Sequence, residues 1–205
     1  MKVLDIDCSV RDERSVSKEL SGLFVTKLKE KYPAAEIDYL DVSKETPSHP
    51  TALFIRGNYT PEAERTNEMI NELAASELLV DRMISSDIYV IGMPMYNFSV
   101  PSNFKAFIDN IVRINRTFKL TETGGQGLLI NKRVYIINTR GVDFTHESTK
   151  HMDQLQPYLT AIFGFMGMTD LSFINVSPVQ FAAAEDRASA IEKAKIRIQD
   201  TVATL

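Results

Sequence analysis

Short strand-type runs alternate with helical patterns along this chain, and that alternation constrains its fold more than any other feature. Strands are expected at residues 2–8, 36–41, 87–92, 132–139 and 170–176. Helical spacing covers residues 16–31, where Leu20, Leu23, Phe24 and Leu28 recur on one face. It returns from Pro61 to about residue 85, whole or broken near Ser76, over 102–113, over 152–167 with an interruption at Pro157, and over 183–204. Parallel strands need crossovers, usually helices. The pattern therefore predicts one parallel α/β sheet with helices on both faces, most simply in the order 2-1-3-4-5. Residues 42–60 carry Pro47, Pro50 and Gly57 and read as loop; 114–131 reads as an irregular excursion with Gly124, Gly125 and Gly127. No repeat or linker divides the 205 residues, so a single domain, 1–205, is expected.

Ligands in such sheets sit outside the carboxyl ends of the strands, where the strand order reverses. The third strand ends there in Met93-Pro94-Met95-Tyr96-Asn97-Phe98-Ser99-Val100-Pro101. Met and Tyr offer apolar and π surface to a flat ring, and Asn97 and backbone N–H groups can bond its edge. The mix suits a flavin. It also suits an ordinary strand-to-helix turn with Pro101 opening the helix.

The first strand-to-helix turn holds Ser9, Ser15, Val16 and Ser17, and lacks both G-x-G-x-x-G and a P-loop. Hydroxyls at a helix N-terminus can bind an anion. They fit the single phosphate of FMN better than a pyrophosphate, although Ser15 or Ser17 could equally be an N-cap. Arg14 could add charge or lie in solvent. Asp41 reads as a strand-end residue. After the fourth strand, Thr139-Arg140-Gly141-Val142 forms a second loop beside the Tyr96 loop. Gly141 there allows either a close approach to a ligand or a positive φ.

Other features exclude functions. A net charge of −4 and a pI near 5.5 disfavour a general nucleic-acid binder. The sole cysteine, Cys8, precludes an internal disulfide framework and reads as a small buried residue. No signal peptide and no long apolar run are apparent, so no membrane partner is expected and a cytoplasmic location follows. His146 and His151 do not have metal-ligand spacing, and no metal site is expected. Asp109, Arg113 and Arg116 read as a solvated or interface face.

With these loops in place, the chain resembles the FMN-dependent NAD(P)H azoreductases, also called quinone reductases, of flavodoxin-like fold. The matching segments are Ser9 to Ser17, Met93 to Phe98, Thr117-Phe118-Lys119, Thr139-Arg140-Gly141, and Leu159 through Thr169-Asp170. The resemblance implies a homodimer with two FMN sites at the subunit interface. Ser9, Ser15, Val16 and Ser17 would serve the phosphate; Pro94, Met95, Tyr96, Asn97 and Phe98 would line the ring, with Thr139, Arg140 and Gly141 opposite. NADH or NADPH would reduce the flavin, which would then reduce quinones or azo dyes in a second step. No side chain is nominated as catalytic. Phe98, Phe118, Val142 and Phe165 are candidates for the substrate pocket; Phe118 and Phe165 read equally well as core. Val142 stands where the family often has a second glycine, and Val10 and Asp12 where it often has Pro and Gly. The alternatives are a flavodoxin-type electron carrier without NAD(P)H turnover and a non-catalytic α/β interaction protein. Carriers are usually strongly acidic with aromatics flanking the flavin, whereas this chain has a mild charge, no Trp and Met95 in the ring loop.

Overall fold

The structure, a computed structural model, describes residues 1–11 and 15–205. Five strands, β1 (Lys2–Asp7), β2 (Glu36–Asp41), β3 (Ile88–Pro94), β6 (Arg133–Thr139) and β7 (Asp170–Val176), form one sheet in the order β2-β1-β3-β6-β7. All its pairings are parallel, with Asp7 opposite both Asp41 and Gly92. The expected order is thus observed, once a separate antiparallel hairpin of β4 (Phe118–Thr121) and β5 (Gly124–Gly127) is set aside.

Side chains alternate across a strand, and the sheet is covered on both faces. On one face Leu4, Ile6, Tyr89, Ile91 and Ile136 pack against α3 (Asn67–Ser85), α4 (Ser102–Ile111) and α5 (Leu155–Phe165). On the other, Val3, Val90, Tyr135 and Ile174 meet α1 (Val16–Lys31) and α6 (Ala184–Ala203). Helix α1 presents Leu20, Phe24 and Leu28 at four-residue spacing, all buried. Each such side chain contributes about 1.5–3 kcal/mol on burial. Helix α1 also lies close to β3 at Gly92, where an added Cβ would come within 2.6 Å of Asp7 Oδ1 and Ser21 Oγ and 3.0 Å of the Ser17 carbonyl.

Several local expectations need correction. Residues 42–60 are not all loop, because α2 (Ala52–Tyr59) forms there. Thr51 caps it by accepting from Phe54 N, and Gly57 gives Leu73 of α3 room to pack. Helix α3 starts at Asn67, not Pro61, and runs unbroken through Ser76. Ser76 Oγ is buried and donates to the Asn110 carbonyl. Pro157 does not interrupt α5; it lies in the first turn, where its missing N–H is harmless. The excursion at 114–131 contains the β4–β5 hairpin.

Arg113 does not lie on a solvated face: it is fully buried. Its guanidinium donates to Asn58 Oδ1 (2.8 Å), Ser76 Oγ and Glu77 Oε1, and lies over the Phe54 ring. A buried charge needs such partners, and α2, which the sequence pattern hid, supplies two of them. Arg116 is part-exposed and joins Glu77 and Asp81.

Candidate functional site

Ser9, Ser15 and Ser17 are each buried at the carboxyl edge of β1 and the start of α1. Ser15 takes both roles considered for it. Its Oγ accepts from Lys18 N at 3.3 Å, capping α1, and it also borders a cleft. Ser17 Oγ lies 3.2 Å from Ser15 Oγ, and Ser9 Oγ accepts from Arg11 N. Behind this turn Lys18 Nζ pairs with Asp41 at 2.6 Å, fastening α1 to the end of β2. Burial opposes ionisation of Asp41, but Lys18 and Ser43 outweigh it and hold the carboxyl below its ordinary value. Asp12, Glu13 and Arg14, two of which carry expectations above, lie outside the described residues.

The same cleft is bordered by Val16, Pro94, Met95, Tyr96, Thr139 and Gly141. The β3 and β6 loops are tied by Met95 N donating to the Thr139 carbonyl at 2.8 Å. Tyr96 and Ser99 exchange backbone hydrogen bonds at 3.0 Å around Asn97 (φ 48°) and Phe98 (φ 68°), both left-handed. This tight turn thus has the mirror-image geometry that usually requires Gly or Asn. Phe98 is an unusual residue to hold such a φ. Gly141 is not left-handed. It provides space, because a Cβ there would approach the Phe181 ring to 3.1 Å.

Three expected site residues are placed differently from the rest. Asn97 and Phe98 form the turn rather than the cleft wall, and the Arg140 side chain points into the protein. Its guanidinium faces Asp153 at 2.8 Å. Burial lowers its pKa, and Asp153 opposes that shift. Of the candidate pocket residues, Phe98 meets Phe144 edge-on, while Phe118 packs against Phe165 with centroids 4.7 Å apart. Phe118 is 5% exposed; Phe98, Val142 and Phe165 are 45%, 39% and 40% exposed.

The structure adds residues that sequence reasoning missed. Val179, Gln180, Phe181 and Arg187 border the cleft from the β7–α6 side. Val179 N donates to the Arg140 carbonyl and Phe181 N to the Gly141 carbonyl. Arg11 donates to Gln180 Oε1 at 3.3 Å across the opening. The available signal was position: this segment follows the carboxyl end of the last strand, the same edge that supplies the other loops.

Three buried hydroxyls around the start of α1, two guanidiniums and an apolar Met–Tyr wall border one cleft. That donor set fits FMN. Among the described residues no three potential metal ligands cluster, and no helix is long and apolar enough to cross a membrane.

The chain belongs to the family described as flavodoxin-like fold, whose model matches residues 1–202. A protein of Nostoc punctiforme named FMN-dependent NADH:quinone oxidoreductase is 41% identical over 99% of this chain and 98% of its own length. One of the same name from Legionella pneumophila is 35% identical over 97% of this chain and 96% of that protein. Among solved structures, an azoreductase from Bacillus anthracis superposes with a TM-score of 0.92 at 22% identity, covering both chains in full. An FMN-dependent NADH-azoreductase from the same species, in complex with FMN, gives 0.88 at 24% identity over 99% of this chain and 98% of that one.

Proposed function

We propose that this chain is an FMN-dependent NADH:quinone oxidoreductase that also accepts azo compounds. The observation that carries this reading is the meeting, in one cleft, of the Ser9/Ser15/Ser17 hydroxyls with the Met95–Tyr96 and Gly141 loops. Bound FMN supplies hydride acceptance from a nicotinamide and two-electron delivery to an acceptor.

The chain's own part is to bind, orient and shield. Ser9, Ser15 and Ser17 offer hydroxyl donors to a phosphate, supported by the positive end of α1. Arg11 and Arg187 border the same cleft and add charge. Pro94, Met95, Tyr96 and Thr139 supply the wall for the ring, and Gly141 leaves room beside it. Donor and acceptor occupy one pocket in turn, the two-step exchange. Phe98 and Val142 are exposed on the β3 and β6 loops and form our candidate acceptor slot within one chain; Phe165, exposed at the end of α5, and the buried Phe118 packed on it lie toward the amino ends of the strands and would reach a slot only across a dimer.

The active unit in this reading is a homodimer. Leu120, Phe98 and Phe165 are exposed at 64%, 45% and 40%, apolar surface that a second copy would cover. A cytoplasmic location, where NADH is available, fits the same reading.

The test is the visible spectrum of the purified protein before and after anaerobic NADH, then after a quinone. Bleaching by NADH and recovery with quinone are expected, with FMN as the released cofactor by chromatography. Flavin that NADH does not bleach would point to an electron carrier. Absence of flavin after reconstitution, or FAD as the tight ligand, would overturn the proposal. Light scattering that shows a monomer still turning over quinone would refute the dimer.

A further inference from the structure

The Phe98 carbonyl accepts a hydrogen bond from Gln154 N at 3.0 Å. Asp153, one residue earlier, faces two ways. Its Oδ1 accepts from Leu155 N (3.1 Å) and Gln156 N (3.2 Å), capping α5. Its Oδ2 lies 2.8 Å from Arg140 Nη2. Arg140 is 4% exposed, and its Nε donates to Asn138 Oδ1 at 2.5 Å. Fully buried Asn138 in turn donates through Nδ2 to the Met93 carbonyl at 3.2 Å. The contacts close a circuit: Met93, Asn138, Arg140, Asp153, Gln154, Phe98, and back along the chain to Met93. That circuit encloses Met95 and Tyr96, the wall residues of the cleft.

We infer that Asp153 is a positioning residue: by pairing with Arg140 it fixes Gln154 under the left-handed Phe98 and so sets the wall of the ring-binding end. Phe98 carries a φ of 68° that a bulky side chain rarely adopts. Such a conformation persists only where surrounding contacts over-determine it. Here they are the Gln154 N–H, the Phe144 ring edge and the Tyr96–Ser99 exchange. Without the Asp153 charge, Arg140 keeps Asn138 and the face of the Phe144 ring, 6.0 Å from its guanidinium carbon, neither of them a counter-charge, and the segment bearing Gln154 loses its anchor to the end of β6.

Asp153→Asn separates this role from helix capping, because asparagine still accepts from Leu155 N and Gln156 N. The variant strands the Arg140 charge. The double variant Arg140→Met/Asp153→Asn removes that charge and is expected to regain the melting temperature. In apoprotein, hydrogen exchange at the Gln154 amide should accelerate about tenfold or more in Asp153→Asn and remain fast in the double variant. In the loaded enzyme, kcat with quinone at saturating FMN and NADH should fall about tenfold or more in both variants. Unchanged exchange at Gln154 in Asp153→Asn would overturn the inference. So would recovery of kcat together with melting temperature in the double variant, which would make the pair merely stabilising. The kinetic arm rests on the function proposed above; the exchange arm does not. A wild-type chain unable to reduce quinone would sink that function while the apoprotein exchange still decides the brace.

Discussion

Ser15 Oγ and Ser17 Oγ lie 3.2 Å apart, but only Ser15 also caps α1. The two hydroxyls therefore separate into different phenotypes. Ser15→Ala should lose about 1 kcal/mol of stability through the cap and weaken FMN binding as well. Ser17→Ala should weaken FMN binding with a smaller change in melting temperature. Each hydrogen bond lost to a charged phosphate is worth about 1.5–3 kcal/mol. Calorimetric titration with FMN beside thermal melts checks this, and an unchanged FMN affinity in Ser17→Ala would remove Ser17 from the site.

Val142 is 39% exposed on the β6 loop next to Gly141, which borders the cleft, and in the proposed site it would narrow the room for an acceptor. Val142→Gly should raise kcat/KM for a bulky azo dye relative to a small quinone. Loosening the loop opposes the gain by about 0.4–1 kcal/mol of stability. Equal changes for both acceptors would show that Val142 packs without gating.

Asp5 is a buried carboxyl on β1 whose Oδ1 has no hydrogen-bond partner among the described residues. Burial, reinforced by Asp7 two residues along, pushes it up from 3.8 to about 7. Asp7 is itself raised by burial. The folded state thus holds a proton that the unfolded chain releases near pH 4. The stabilisation is complete below pH 3.8 and is lost as pH rises toward 7, at a slope of up to about 1.4 kcal/mol per pH unit for one such group. Asp5→Asn should flatten that part of the profile and raise stability at pH 8 relative to the parent. Urea midpoints at pH 5 and pH 8 measure it; parallel profiles for parent and variant would exclude Asp5 as the source.

Two glycines should respond in opposite directions to alanine. Gly22 lies inside α1 with nothing within 4 Å of an added Cβ, so Gly22→Ala should stabilise by about 0.5–1 kcal/mol. At Gly127 the new Cβ would fall 2.1 Å from Gly167 N and 2.3 Å from the Met166 carbonyl carbon, backbone that cannot swing aside. Gly127→Ala should cost about 1–3 kcal/mol or more and detach the hairpin from the end of α5. A Gly127→Ala melt matching the parent would mean that the hairpin shifts freely.

The sheet was legible because buried parallel strands write their burial directly as apolar runs, and their alternation with helices leaves few topologies. The cleft loops were legible because their place in the chain puts them on one edge. What escaped depended on partners distant in sequence. Helix α2 is short, and its Gly57 and Asn58 read as breakers until Leu73 and Arg113 are seen packed against them. Arg113 read as surface because nothing local marks its partners, Asn58, Ser76 and Glu77. Arg140 was expected beside the ring by resemblance alone, and nothing in its own loop announces that its guanidinium faces Asp153. The left-handed Phe98 had no signal, since the rule for such turns names Gly and Asn.

Gly92 sets how closely α1 approaches β3 beside the cleft. With no side chain there, α1 rests on β3 through the Ser17 carbonyl and Ser21, so the spacing between the hydroxyl turn and Met95, three residues beyond Gly92, depends on that contact. The protein thereby carries an internal ruler. Selection among ligands with the same head and tail would follow the reach between them, and a side chain at position 92 would recalibrate that reach by pressing on the Ser17 carbonyl from behind.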